Sequence, residues 1–191
     1  MYFFLIPLLL GFTANILSAF TTIYSRRLGP RRGSLVTALL RNVFGIPVWA
    51  LGFALAVRAT HPSLSLFPTN PVIQTFAILL LIVGGVIILL ALRQIRLRAA
   101  VPSTADALVE SGLYACVRHP IHSGTLLEFA GLFLFIPTVP VALACGLGAL
   151  WVLAQTRAEE YDLMQRIPSY REYMRRVPGF LPRIRKSTGN K

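Results

Sequence analysis

The chain has 191 residues, 55% of them hydrophobic and 14% charged, with a formal net charge of +12. An ordinary soluble domain carries about 25% charged residues, so the deficit excludes a soluble globular protein and points to a membrane. The positive charge is not that of a nucleic-acid-binding domain, because the arginines lie in loops and tail between apolar runs and form no basic patch interleaved with aromatics.

A spanning helix needs roughly 20 apolar residues, and the sequence predicts an all-α integral membrane protein with about five of them. The first runs from about Tyr2 to Tyr24, the second from Ser34 to Val57 and the third from Val72 to Leu92. Two shorter runs follow, Ile121 to Ile136 and Val141 to Thr156. "FIPTVP" (135–140) divides these two into a helical hairpin, since Pro137 and Pro140 cannot both lie inside one helix without cost. Residues 1–92 read as a transmembrane scaffold and 93–191 as a catalytic half: a loop over 93–120, the hairpin over 121–156 and a tail over 157–191.

Positive charge sets the expected orientation. Arg26, Arg27, Arg31 and Arg32 follow the first span, and Arg93, Arg96, Arg98 and Arg118 follow the third. The loop after the second span carries only Arg58, and the tail from Arg157 is basic. This alternation predicts an amino terminus outside and a carboxyl terminus in the cytoplasm, in the inner membrane if the source is bacterial. The first span does not read as a secretory signal, because its positive charges follow the apolar stretch rather than precede it.

All seven acidic residues lie at or after Asp106, so chemistry is sought in the carboxyl half. Two clusters stand out there, "DALVESGLYACVRHPIHSG" (106–124) and "RAEEYDLMQRIPSYREYMRRVPGFLP" (157–182). Both are expected on the cytoplasmic side, brought together by the hairpin between them. Cys116 and Cys145 are too few for a disulfide framework. His119 and His122 could face one metal ion, but no further ligand stands near them in sequence, so no metal site is expected. Glu128, Arg41 and Asn42 fall inside apolar spans, where polar groups are functional hypotheses by default. Gly84, Gly85 and the "GLG" at 146–148 read as helix-packing residues.

The motif order resembles the isoprenylcysteine carboxyl methyltransferase family, whose wider clan includes the phospholipid N-methyltransferases. "LVESGLYACVRHPIHSG", an apolar hairpin and then "EEYDL" with "SYREYMRRVPGFLP" carry the resemblance, over residues 84 to 182. It implies a multi-span membrane protein with a cytoplasmic pocket for S-adenosylmethionine and a lipophilic acceptor. Carried onto this chain, that pocket falls on Asp106, Ala107, Leu108, Val109, Gly112, Tyr114, Arg118, His119, Pro120, Ile121, His122, Gly124 and Glu159. The family usually has His at the place of Asp106 and Tyr at the place of His122.

The same residues suit that cofactor physically. Pro120 fits the first turn of a helix, where a missing N–H costs nothing. The free amides and positive dipole of such a helix start suit a carboxylate, and Arg118 adds a formal charge. Glu159 suits an ammonium or ribose hydroxyls, and Tyr114 offers a ring to adenine or to the sulfonium. Methyl transfer depends chiefly on alignment. No obligatory catalytic base is expected; Arg157 is the candidate partner of an anionic acceptor and Glu160 the candidate proton acceptor for an amine. The acceptor class stays open among carboxylates, thiols and amines. Two other readings are a nicotinamide-dependent enzyme like the membrane sterol reductases, with which Pro120 and Thr125 disagree, and a non-enzymatic membrane subunit of the same fold.

Overall fold

The computed structural model describes residues 2–96 and 100–183. Arg98 and the tail beyond Arg183, both used above for orientation, lie outside the described residues. Among the described residues every regular element is helical, and extended pairing is limited to one bridge between Ser65 and Thr138.

The first apolar run, expected as a span over 2–24, is not one straight helix. It gives α1 (Leu5–Leu17) and α2 (Thr21–Leu28), with a bend of 64° between them. Polar side chains account for the break. The Ser18 hydroxyl donates to the Asn15 carbonyl at 2.6 Å, and the amides of Ala19 and Phe20 bond three residues back, closing α1 with a tight turn. The Thr22 amide then donates to Oδ1 of Asp162 at 2.7 Å, so a distant carboxylate caps the start of α2, where negative charge is favoured.

The second run is longer than expected. It begins at Pro30 and comprises α3 (Pro30–Leu39), a π-helical turn (Leu40–Gly45) and α4 (Ile46–Arg58). Pro47 has no amide to bond back into the preceding turn, and the helical register widens just before it. The third run forms α5 (Pro71–Ile95), started by Asn70, whose side chain accepts from the Ile73 amide at 2.9 Å.

A short α6 (Leu113–Cys116) leads to the hairpin of α7 (Pro120–Phe135) and α8 (Val139–Arg166), and α9 (Tyr170–Arg176) follows. Helix α8 passes well beyond Thr156, because "RAEEYDLMQR" holds no proline or glycine; it stops just before Pro168. The acidic pair of the tail therefore stands on the same rigid helix as the apolar run.

Three helices, Pro30–Arg58, Pro71–Ile95 and Val139–Arg166, are long and apolar enough to cross a membrane, and the bent pair raises the count to as many as four. The expectation of about five also counted α7. With 16 residues it reaches about 24 Å, short of a hydrocarbon core of about 30 Å.

Small residues let these helices approach. A Cβ on Gly124 of α7 would stand 2.7 Å from the Gly84 carbonyl oxygen of α5, and one on Gly84 would stand 2.7 Å from the Gly124 carbonyl. One helical repeat further along, Gly131 meets the Ala77 carbonyl in the same way. Glu128 lies in this seam against Gly84. On the other side of α7 an aromatic core joins α1, α4, α7 and α8: Phe12 stacks on Trp151 at 4.9 Å and Phe53 on Phe129 at 5.0 Å.

Gly124→Leu is expected to lower the thermal unfolding temperature in detergent, with a loss of about 1–3 kcal/mol from overpacking. Gly146→Leu, where a Cβ meets nothing within 4 Å, is expected to leave it unchanged.

Candidate functional site

A cavity of about 330 Å³ opens where the start of α7, the far end of α8, the loop before α6 and the π-helical turn converge. That volume is in the range of small-molecule pockets, roughly 300–1,000 Å³. Its wall includes Asp106, Ala107, Leu108, Val109, Tyr114, Arg118, His119, Pro120, Ile121, His122 and Glu159. Gly112, Gly124, Arg157 and Glu160 are outside that wall.

The wall is held together by Glu160, whose side chain is buried. Its Oε1 accepts from Arg118 Nη2 at 2.8 Å, from Arg118 Nε at 3.1 Å and from His119 Nε2 at 3.1 Å. Arg118 Nη1 donates to the carbonyls of Met174 and Val177. The backbone amides of Arg118 and His119 donate to the carbonyls of Pro178 and Gly179 at 2.8 and 3.0 Å, and the Ser123 hydroxyl to that of Phe180 at 2.7 Å. "RHP" and "VPGF" are therefore two strands of one lock, with Glu160 as its bolt.

Glu160 is engaged by a guanidinium and an imidazole. Arg118 touches the cavity, but its fork is spent on Glu160 and tail carbonyls. Arg157 is 84% exposed and reaches Glu160 Oε2 at 3.7 Å from outside. Gly112 has φ +59 and presses on the side chain of Gln94, whose Oε1 accepts from the Leu113 amide at 3.2 Å. The two glycines are thus packing and turn residues.

The neighbour of Glu160 faces the other way. Glu159 Oε1 accepts from Gln155 Nε2 at 2.9 Å and from Arg41 Nη2 at 3.4 Å, and Oε2 lies 3.9 Å from His119 Nδ1. Arg41 reaches it from the π-helical turn, an irregularity frequent at functional sites. His122 stacks beside His119 with ring centroids 5.5 Å apart, and its Nδ1 meets Thr156 Oγ1 at 2.8 Å. His119, His122 and Glu159 each bring one ligand atom within 4.8 Å of the others. The hairpin thus brings a third potential ligand group, distant in sequence, beside the two histidines.

Asp106 closes a turn, its Oδ2 accepting from the Ser103 amide at 2.8 Å. Tyr114 has its phenol pushed well above the ordinary range by burial first and by the charge of Glu159 second. Tyr173, whose hydroxyl donates to the Tyr114 carbonyl at 2.6 Å, is pushed up to about 12 by burial and the charge of Glu110. Both phenols stay neutral donors across physiological pH.

Sequence reasoning missed Gln155, Thr156 and Asp162. Gln155 precedes Glu159 by one helical turn, a spacing that would have marked it as a support, whereas Thr156 supports His122 across the hairpin, which no spacing reveals. Asp162 holds Arg166 Nε at 3.1 Å as well as Thr22. Glu160→Ala is expected to leave Arg118 buried without its anion and to cost about 3–5 kcal/mol of stability, read as detergent unfolding. Arg157→Ala is expected to leave unfolding unchanged.

The residues present also fit S-adenosylmethionine on structural grounds. Among the described residues no side chain caps the start of α7, and the buried indole N–H groups of Trp49 and Trp151, two wall residues, have no hydrogen-bond partner. Donors left over in this way suit the carboxylate, ring nitrogens and hydroxyls of a polar ligand.

Comparison with known proteins finds two metal-resistance proteins and one family of membrane methyltransferases. The cobalt-zinc-cadmium resistance protein CzcN of Cupriavidus metallidurans is 36% identical over 80 residues, 41% of this chain and 37% of that protein. The nickel-cobalt-cadmium resistance protein NccN of Alcaligenes xylosoxydans xylosoxydans is 32% identical over 78 residues, 40% of this chain and 37% of that protein. The chain thus spans well under half the length of these curated relatives. No solved structure matches. The sequence model of the phospholipid methyltransferase family matches residues 72–171, just over half of the chain, taking in α5, the cavity loop, the "RHP" start of α7 and the acidic pair of α8, and on that match the chain belongs to the phospholipid methyltransferase family.

Proposed function

We propose that the chain is an integral membrane methyltransferase that takes S-adenosylmethionine and methylates a lipophilic acceptor. One observation carries the reading: Asp106–Val109, Tyr114, the uncapped start of α7 and Glu159 surround a single cavity at one end of apolar helices. When bound, the cofactor supplies an electrophilic methyl group on a sulfonium. The first-turn amides of α7 receive its carboxylate, and Glu159 receives its ammonium or ribose hydroxyls. Tyr114 lends a ring face to adenine or to the sulfonium.

With Glu160 locked and Arg157 outside the wall, no residue of the cavity is assigned as an obligatory base. The acceptor arrives as a ready nucleophile, a carboxylate, thiolate or neutral amine, and the protein contributes alignment. Five segments cross or enter the membrane, α7 as a short one supported by α5. The amino terminus lies outside, and the cavity and carboxyl terminus face the cytoplasm. The polar cofactor comes from water and the acceptor sideways from lipid. The relatives' names describe resistance to metals rather than a reaction, and for this chain we read them as the kind of process such a membrane enzyme serves.

Calorimetry on the detergent-solubilised chain tests the reading with S-adenosylmethionine and a reduced nicotinamide cofactor side by side. Binding of the first alone is expected. Glu159→Ala and His119→Ala are each expected to weaken it by about tenfold or more, the loss of a hydrogen bond to a charged group being about 1.5–3 kcal/mol. Heat from the nicotinamide alone turns the assignment to a reductase, and heat from neither leaves a subunit without the enzyme activity.

A further inference from the structure

We propose that His119, His122 and Glu159 form a binding site for one divalent transition-metal ion inside the cavity. Their ligand atoms lie within 4.8 Å of one another. A tetrahedral ion with bonds of about 2.0–2.1 Å holds its ligand atoms about 3.3 Å apart, so modest side-chain rotation completes the approach.

Each of the three ligands has its second polar atom already held. His119 Nε2 is fixed on Glu160 Oε1 at 3.1 Å, which leaves Nδ1 as the lone-pair nitrogen facing Glu159. His122 Nδ1 is engaged by Thr156 Oγ1 at 2.8 Å, which leaves Nε2. Glu159 Oε1 is held by Gln155 and Arg41, which leaves Oε2, the oxygen 3.9 Å from His119 Nδ1. Metal sites use such outer partners to fix the tautomer and orientation of their ligands. A carboxylate behind one imidazole and a hydroxyl behind the other are of that kind. The ligands also stand on rigid elements, the first turn of α7 and the middle of α8's polar end.

Two imidazoles and one carboxylate select the class of ion. Nitrogen ligands favour Zn²⁺, Co²⁺ or Ni²⁺ over the hard ions Mg²⁺ and Ca²⁺. Three protein ligands leave at least one coordination position open to the cavity, the arrangement of an exchangeable rather than a purely structural site. Binding moves no electron: the imidazoles bind neutral and Glu159 binds as carboxylate. The ion shares Glu159 with Arg41, which supplies the cation beside that carboxylate when no metal is present.

The ion and the methyl donor would use Glu159 in turn rather than together; the inference does not depend on the methyl-transfer reading, and its test contains no S-adenosylmethionine, so the two fail separately. Co²⁺ is titrated into the full chain in detergent, and the visible d–d bands of a four- or five-coordinate site are recorded. Bands that saturate at one ion per chain, and that vanish in His122→Ala and in Glu159→Gln, are expected. Thermal unfolding of both variants verifies that they remain folded. His61→Ala and Cys116→Ser, exposed and outside the cavity wall, are expected to keep the bands. Absence of bands in the parent, bands of parental strength in both His122→Ala and Glu159→Gln, or loss of the bands in the His61 or Cys116 variant overturns the proposal.

Discussion

One buried carboxylate joins the chain segments from which the cavity is made. Glu160, on α8, binds the guanidinium of Arg118 and the imidazole of His119 at the start of α7, and Arg118 in turn binds carbonyls at the end of α9. The charges are out of water, so their mutual geometry is tightly constrained: a buried ion pair that loses one partner leaves an uncompensated charge. The pair therefore does more to specify an arrangement than to add stability. It ties the start of α7 to the polar end of α8, and residues 177–180 bond to the same start.

The two glutamates divide the work because they are consecutive on a helix. Side chains at neighbouring positions point about 100° apart, so Glu159 and Glu160 take different partners and meet only at opposite nitrogens of His119. One faces the tail lock and the other the cavity. Four polar groups gather around the second: Gln155 one turn below it, Arg41 from the π-helical turn, and the two stacked histidines opposite. The aromatic core beneath, with Trp151 edge-on to His122, forms an apolar floor. Low dielectric around this group makes each charge–charge contact count for more than it would in water.

Much of this was legible in the sequence, and the limits have physical causes. Hydropathy located α4, α5 and the hairpin, because a run of apolar residues has little alternative to a helix in lipid. It overstated the first span, since Asn15, Ser18 and Thr21 count little against Leu and Phe in a window, yet their hydrogen bonds bend the backbone. It understated the last helix, since a hydropathy limit at Thr156 is not a helix limit. The family match spans the motif "RHP" and the acidic pair, but composition and spacing cannot say which glutamate faces inward. Nor can they bring Glu159 beside His119 and His122, because that contact exists only once α7 and α8 have paired. Gly124 and Gly112 read as part of a binding motif; in the structure their lack of a side chain serves packing.

The proposed methyl-donor site is the cavity between the α7 start and the end of α8. Hydrogen–deuterium exchange of the detergent-solubilised chain, with and without S-adenosylmethionine, tests this most directly, because it reports where binding is felt. The account predicts slower exchange over residues 106–123 and over the last turns of α8 around Glu159, with α4 and the outer half of α5 unchanged. Protection confined to other segments, or no protection at saturating cofactor, would contradict it.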